Sequence, residues 1–573
     1  MLTWIEFAAV LIVVPLAFSF PRVGARWFNR VERRFKGIAQ NRTLSILVVA
    51  AAALTSRAAI LPILPITDPS VHDDFSFLLA ADTFAHGRLA NPTHPMWIHF
   101  ETFHVIWHPT YASMYQPAQG LVLAAGQVIA GHPFWGLWAS VALMCAAICW
   151  MLQGWMPPEW ALLGGLLAVA RFGIFSYWAN SYSGGAVAAT GGALALGALP
   201  RLRLQPHVRD ALLMGLGIAI LANSRPYEGM MLSLAAGALL LTWMLGKNRP
   251  PLQDAILNTV IPLGLVLAVT GLAMGYYFWR VTGSPFHFPY QVNRQTYASA
   301  PYFLWQSPRP QPTYHHEVMR SFYIDWELPY YHDTRSIVGL FTNALAKLKA
   351  FWFFFLGPAL MLPVLMALAI APYGLTWNSL SRDTRYLMII FGFAAISLAA
   401  ETFFSPHYAA PMTALVLALV LQAMRYLRAW AWKGQPVGSF MTRAIVLVCF
   451  LVVFSRIAIE MLHLPSPADS PQTCCSTGRG NWYRSEIQNQ LSTLGRPQLV
   501  LIRYAYNHNV VNEWVYNQAN IDGSAVVWAR DMGNQQNQEL LEYFKDRQVW
   551  LVEPDQNPPQ LSPYYASIAG AGK

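Results

Sequence analysis

Charge is scarce in this chain. Only 12% of its 573 residues are Asp, Glu, Lys or Arg, against roughly a quarter in ordinary soluble domains. That deficit excludes a solvated surface over most of the length, and 55% hydrophobic residues fill the space. The 5 cysteines give no disulfide framework. Cys145 and Cys149 lie one helical turn apart in an apolar run, and Cys449 lies in another. Cys474 and Cys475 are adjacent, where a mutual bridge would be strained. No basic residue precedes the first apolar run, the reverse of a cleavable secretory signal, so that run is expected to be an uncleaved anchor.

What is present in quantity is long apolar runs. Candidate spans lie near 3–20, 44–64, 133–153, 159–177, 184–200, 209–222, 227–246, 254–280, 341–370, 385–401, 407–427 and 441–462. Most approach the roughly 20 residues that cross a bilayer as a helix. The 22 Trp and 25 Tyr suit membrane interfaces. The expected fold is an all-α polytopic membrane bundle of about 12 transmembrane helices with a small extracytoplasmic α/β C-terminal domain.

The net charge of +10 is concentrated in loops, so it calls for no nucleic-acid partner. Arg22, Arg26, Arg30, Arg33, Arg34, Lys36 and Arg42 oppose the single acid Glu32 between the first two spans. Arg201, Arg203 and Arg209 mark another loop, as do Lys247 with Arg249 and Arg382 with Arg385. Arg425, Arg428, Lys433 and Arg443 mark the last. Basic loops stay cytoplasmic, and all of these share one side if 116–131 lies along the interface instead of crossing it. The expected location is a bacterial-type cytoplasmic (inner) membrane, multi-pass.

Six polar segments then fall on the extracytoplasmic face: the loops 65–132 and 281–340, Asn180-Ser181-Tyr182, 223–228, 401–411 and the tail. Three regions follow: 1–43 as anchor and basic loop, 44–462 as the membrane domain, and 463–573 as the outer domain. The tail opens with a Pro- and Ser-rich stretch, 465–480. Strands are expected at 498–504, 525–529 and 548–552, with a helix at 535–547. The tail holds no nucleotide-binding glycine motif.

The first loop carries the sharpest signal, His72-Asp73-Asp74 at the exit of an apolar run. Acids at the membrane edge usually face a cavity or a substrate path. From Asp73 to His86, Phe77, Leu78, Ala81, Phe84 and Ala85 share one side at helical spacing, which predicts an interfacial helix headed by both aspartates. One aspartate could equally serve as a helix cap.

An acidic pair at the start of a helix in the first outer loop, a second interfacial helix at 116–131 and a many-span bundle together resemble the GT-C glycosyltransferases. Protein O-mannosyltransferases and the lipid A aminoarabinose transferase are of this kind. The resemblance implies an integral-membrane glycosyltransferase of hexosyltransferase type, with its active face extracytoplasmic. It would take a sugar from a polyprenyl-phosphate carrier and pass it to a protein, lipid or glycan acceptor. Asp73 would be the base and Asp74 its partner, with inversion in one displacement. The chain departs from relatives that carry Lys-Pro-Pro before the second interfacial helix, because it has Gln116-Pro117-Ala118.

The residues fit that chemistry. A hydroxyl acceptor needs a base, and a departing polyprenyl phosphate needs a nearby cation. Arg225, in Asn223-Ser224-Arg225-Pro226-Tyr227-Glu228, is the candidate phosphate clamp, although it could pair with Glu228 instead. Arg171 is a second candidate cation, and Tyr182, Glu228, Glu401 and His407 are candidate substrate contacts. Interfacial anchoring is the other reading of Glu401 and His407. The first loop holds seven of the 15 histidines, and His99, Glu101 and His104 could hold a divalent metal, although no recognised metal spacing occurs. A multi-span transporter and a non-catalytic cell-envelope assembly protein are the alternative classes. Large polar loops confined to one face and the lack of internal repeats disfavour the transporter.

Overall fold

A computed structural model describes the chain except residues 247–248, 371–376, 379, 463, 465–472, 476–479 and 565–573. Lys247 and most of the 465–480 stretch lie outside the described residues. The membrane part is a helical bundle, and each of the twelve expected spans coincides with helix. Among the described residues, eight helical segments are long and apolar enough to cross a membrane by themselves. The remaining four are shorter or carry charge, as in Val208–Ala222 with Asp210 and Arg382–Ala399 with Asp383. Ala186–Leu204 carries Arg201 and Arg203 in its last turn and is buried over most of its length.

Pro117–Ala130 is an apolar helix of 14 residues, short of a crossing. Gly131 ends it in the left-handed region at φ 77°, and Pro133–Trp155 follows as a span of 23 residues. The two helices touch backbone to backbone. A Cβ on Gly136 would lie 2.0 Å from the Val122 carbonyl oxygen, and one on Gly126 would lie 2.1 Å from the Gly136 nitrogen. Only glycine permits that fold-back, which lays Pro117–Ala130 back against the following span.

The basic segment between the first two spans differs from the expected loop. Ala25–Gln40 is a helix of 16 residues. A count of basic residues conceals its period, in which Phe28, Phe35 and Ala39 recur on one face.

The C-terminal region forms a four-stranded sheet with Gln498–Ile502 central. Val526–Arg530 and Gln548–Glu553 pair with it in parallel on either side, and Gln560–Pro563 adds an antiparallel edge. Asn534–Tyr543 makes the crossover helix between the two flanking strands. Three strands and this helix were legible in the sequence. The edge strand and the helix Trp482–Ser492 carry weaker patterns.

This domain packs directly on the first interfacial helix, His72–Ala85. Phe75 stacks on Tyr516 with centroids 4.4 Å apart, and Asp82 accepts a hydrogen bond from the Ala519 N–H at 2.8 Å. The helix is therefore covered on its polar side too, where an amphipathic surface helix would meet water.

Candidate active site

His72–Ala85 starts after an extended Val71 and presents Asp73 and Asp74 in its first turn. Adjacent positions diverge by about 100° on a helix, and the two carboxylates accordingly meet different surroundings. Asp74 is 1% exposed. Its Oδ1 accepts from the N–H groups of Tyr182 and Ser183, both at 2.9 Å, and its Oδ2 from the Ser70 N–H at 3.3 Å. Burial pushes the Asp74 carboxyl up to about 6 against the pull of those donors. Asp74 thus ties the start of the helix to Ser70 and the 182–183 turn, and it does not line the cavity that Asp73 faces.

Asp73 faces a cavity of about 380 Å³. It accepts a hydrogen bond from the Tyr115 hydroxyl and lies 2.6 Å from His104 Nδ1, which is itself 2.8 Å from that hydroxyl. Burial alone would push the Asp73 carboxyl up, but the adjacent His104 ring, His72 and the Tyr115 hydroxyl hold it well below the usual carboxylate range. Burial and the neighbouring His104 lower His72 to about 4.

A small hairpin builds this cluster. Val105–Ile106 pairs antiparallel with Ala112–Ser113, which brings His104 beside Met114 and Tyr115. His104 occupies the left-handed region at φ 59°, an uncommon and costly state for a residue with a Cβ. Its carbonyl is held there by the Ser76 hydroxyl at 2.7 Å and the Met114 N–H at 3.1 Å. Tyr115 stacks on Phe77 with centroids 4.3 Å apart, so the helix His72–Ala85 fixes the hairpin as well.

Arg225 lines the same cavity. Pro226 opens the helix Pro226–Met244, and Arg225 is its N-cap residue. The guanidinium lies 3.8 Å from Glu228 Oε1 and 4.5 Å from the centre of the Tyr408 ring. The ion pair is therefore present but loose. Arg225 also lines a second chamber of about 400 Å³, together with Gln116, Glu228, Tyr290 and Tyr302. Met114, Tyr115, Arg225, Tyr290, Arg294 and Tyr302 border both chambers. His407 reaches the first chamber from the turn Pro406–Met412, with its Nδ1 2.9 Å from the Tyr177 hydroxyl.

Other sequence candidates stand elsewhere. Arg171 is 7% exposed, 3.5 Å from Glu6, and donates to the carbonyls of Phe353 at 2.7 Å and Phe354 at 3.0 Å. Its charge ties spans together, and it does not line either chamber. Tyr182 is buried with its hydroxyl donating to the Thr67 carbonyl at 3.0 Å, so it braces the loop. Glu401 is fully buried and accepts from the Tyr302 hydroxyl at 3.1 Å, which orients a chamber residue instead of facing the chamber.

The expected metal set also separates. Glu101 is taken up by the Tyr297 hydroxyl at 2.8 Å and His315 Nδ1 at 2.9 Å, and His99 is buried apart from His104. Among the described residues, the group able to hold an ion is His72, Asp73 and His104, whose ligand atoms lie within 4.8 Å of one another. His72 Nδ1 is buried without a hydrogen-bond partner. Two imidazoles and a carboxylate suit a divalent cation. Sequence spacing could not find this set, because His104 reaches His72 and Asp73 only through the hairpin. Tyr290, Tyr302 and Arg294, from the second long loop, gave no signal at all.

No family model matches the chain, and no curated protein matches it. Among solved structures, the chain is similar to ArnT from Cupriavidus metallidurans in the apo state, with TM-score 0.44, 12% identity, and coverage of 89% of this chain and 92% of that one. It is also similar to the Archaeoglobus fulgidus oligosaccharyltransferase in complex with Zn and sulfate, with TM-score 0.41 and 9% identity, covering 89% of this chain and 67% of that one. A third is the arabinosyltransferase EmbB from Mycobacterium smegmatis, with TM-score 0.40, 12% identity, and coverage of 72% and 37%. These likenesses are distant, and no residue role passes from them to this chain.

Proposed function

We propose that the chain is a membrane glycosyltransferase that moves a sugar from a polyprenyl-phosphate carrier to an extracytoplasmic acceptor. The observation that carries this reading is that Asp73 and Arg225 line one cavity while Arg225 also borders the neighbouring chamber. One chamber offers a carboxylate to an acceptor, the other offers Arg225 to a phosphate, and the arginine stands between them.

In this reading the acceptor hydroxyl attacks the anomeric carbon as Asp73 takes its proton. The bond to the phosphate oxygen breaks with inversion, and polyprenyl phosphate leaves as an anion opposite Arg225. Gln116 stands where Lys-Pro-Pro relatives carry lysine, so Arg225 supplies the positive charge instead. His104 and Tyr115 orient Asp73, and Asp74 holds its helix. A divalent cation on His72, Asp73 and His104 would supply further positive charge for the leaving phosphate. The tail 463–573 acts as an outer domain that shields the catalytic helix. The membrane is the cytoplasmic membrane, with the site on the extracytoplasmic side.

The test uses purified full-length protein and a radiolabelled polyprenyl-phosphate sugar. Transfer or slow donor hydrolysis is expected, and it disappears in Asp73→Asn. Counterflow of a solute that Asp73→Asn leaves unchanged, without donor turnover, would replace this reading with a transporter.

A further inference from the structure

We infer that the helix Ala25–Gln40 is a docking surface for anionic phospholipid headgroups, independent of the catalytic reading. Its two ends are tied to candidate membrane spans, Leu2–Ser19 before it and Arg42–Ala59 after it. Only 20–24 and Asn41 intervene, so a helix of 16 residues has to run along the membrane surface and cannot project from it.

The helix has three faces at 100° per residue. Phe28, Glu32, Phe35 and Ala39 form the first, turned towards the bundle. Glu32 pairs there with Arg428 and Arg443, each at 2.9 Å, and Arg443 lies over the Phe28 ring at 5.3 Å. These contacts pin the helix under the spans Pro406–Ala429 and Val437–Met461. The second face, beside it, consists of Trp27, Val31 and Ile38, which are 56%, 42% and 39% exposed. A row of exposed apolar side chains on a surface-lying helix belongs in the acyl boundary of the bilayer.

The third face carries Arg26, Arg30, Arg33 and Arg34, all exposed. With Glu32 taken up by Arg428 and Arg443, no carboxylate among the described residues pairs with these four arginines. Arg33 donates only to the Asn29 carbonyl, at 3.3 Å. Arg30 and Arg34 flank the apolar row directly, where headgroup phosphates lie. Arginine presents a fork of donors that matches a phosphate. An apolar row beside unpaired arginines fits an anionic lipid and gives a zwitterionic one no net charge to bind.

The test measures binding of phosphatidylglycerol and of phosphatidylcholine to the full chain by native mass spectrometry. Removing arginines in R30Q/R34Q is expected to weaken phosphatidylglycerol binding about fivefold per side chain. Phosphatidylcholine binding and the melting temperature in detergent should stay unchanged. Raising ionic strength on the unmutated protein should weaken phosphatidylglycerol binding alone, which keeps the test valid if the variant melts early. Unchanged phosphatidylglycerol binding in R30Q/R34Q, or an equal loss for both lipids, overturns the inference.

Discussion

Two arginine–glutamate pairs stand on different walls of the same cavity, and they are built differently. Arg294, from the second long loop, donates to both carboxylate oxygens of Glu327 at 2.7 and 2.9 Å and to the Ala300 carbonyl at 2.7 Å. Arg225 lies 3.8 Å from Glu228, and Glu228 Oε1 has no hydrogen-bond partner. The first wall is saturated; the second keeps donors to spare. A saturated buried pair braces a fold, because losing one partner strands a charge. A cation on a cavity wall with spare donors is suited to an anion that arrives later, which is the role proposed for Arg225.

The largest expected effect lies next to both walls. Asp73→Asn removes the base and should lower transfer about 10²–10⁴-fold, read as turnover of a radiolabelled donor, with the melting temperature nearly unchanged. A variant that stays active would move the chemistry away from Asp73. The saturated wall should respond in the opposite currency. Arg294→Ala should cost about 3–5 kcal/mol of stability, measured as a lower melting temperature in detergent. If it melts normally and only activity falls, the two walls are alike and the comparison fails.

The loose wall should answer in activity. Arg225→Ala removes charge stabilisation of the leaving phosphate and should cost about 10²–10³ in turnover, with a smaller loss of thermal stability than Arg294→Ala. Lysine at this position should restore part of the rate, because a point charge still meets a phosphate. A rate unaffected by Arg225→Ala would return the clamp to an unidentified residue.

Legibility followed the range of the interactions. Each of the twelve expected spans fell on helix, because burial in lipid is written in local hydropathy. Pro117–Ala130 was legible as a helix too short to cross from its length. His72-Asp73-Asp74 stood out because acids at a helix exit are costly. The division of labour between Asp73 and Asp74 was not legible, since it depends on Ser183 and Tyr182 reaching Asp74 from a distant turn. Arg171 misled for the same reason: its partner Glu6 is 165 positions away in the chain. His99, Glu101 and His104 are close in sequence, yet the hairpin sends His104 to Asp73 and leaves Glu101 to His315.

A third pair extends the comparison to the tail and gives the smallest effect. Arg530 donates to Glu513 Oε2 at 2.7 Å, and both side chains are almost fully buried. Burial alone would raise the Glu513 carboxyl, but Arg530, the Tyr504 hydroxyl and the Val515 N–H outweigh it and hold it below the ordinary value. A carboxyl lowered in the folded state binds fewer protons there than in the unfolded chain. Its stabilisation is therefore complete above the unfolded value, about 4.3, and is lost as pH falls through the folded one. Thermal melts of the full chain should show stability dropping below about pH 4, with a shallower drop in Glu513→Gln despite its lower starting point. Parallel curves for the two proteins would mean that this pair carries no acid sensitivity, and that close geometry by itself does not mark a bracing pair.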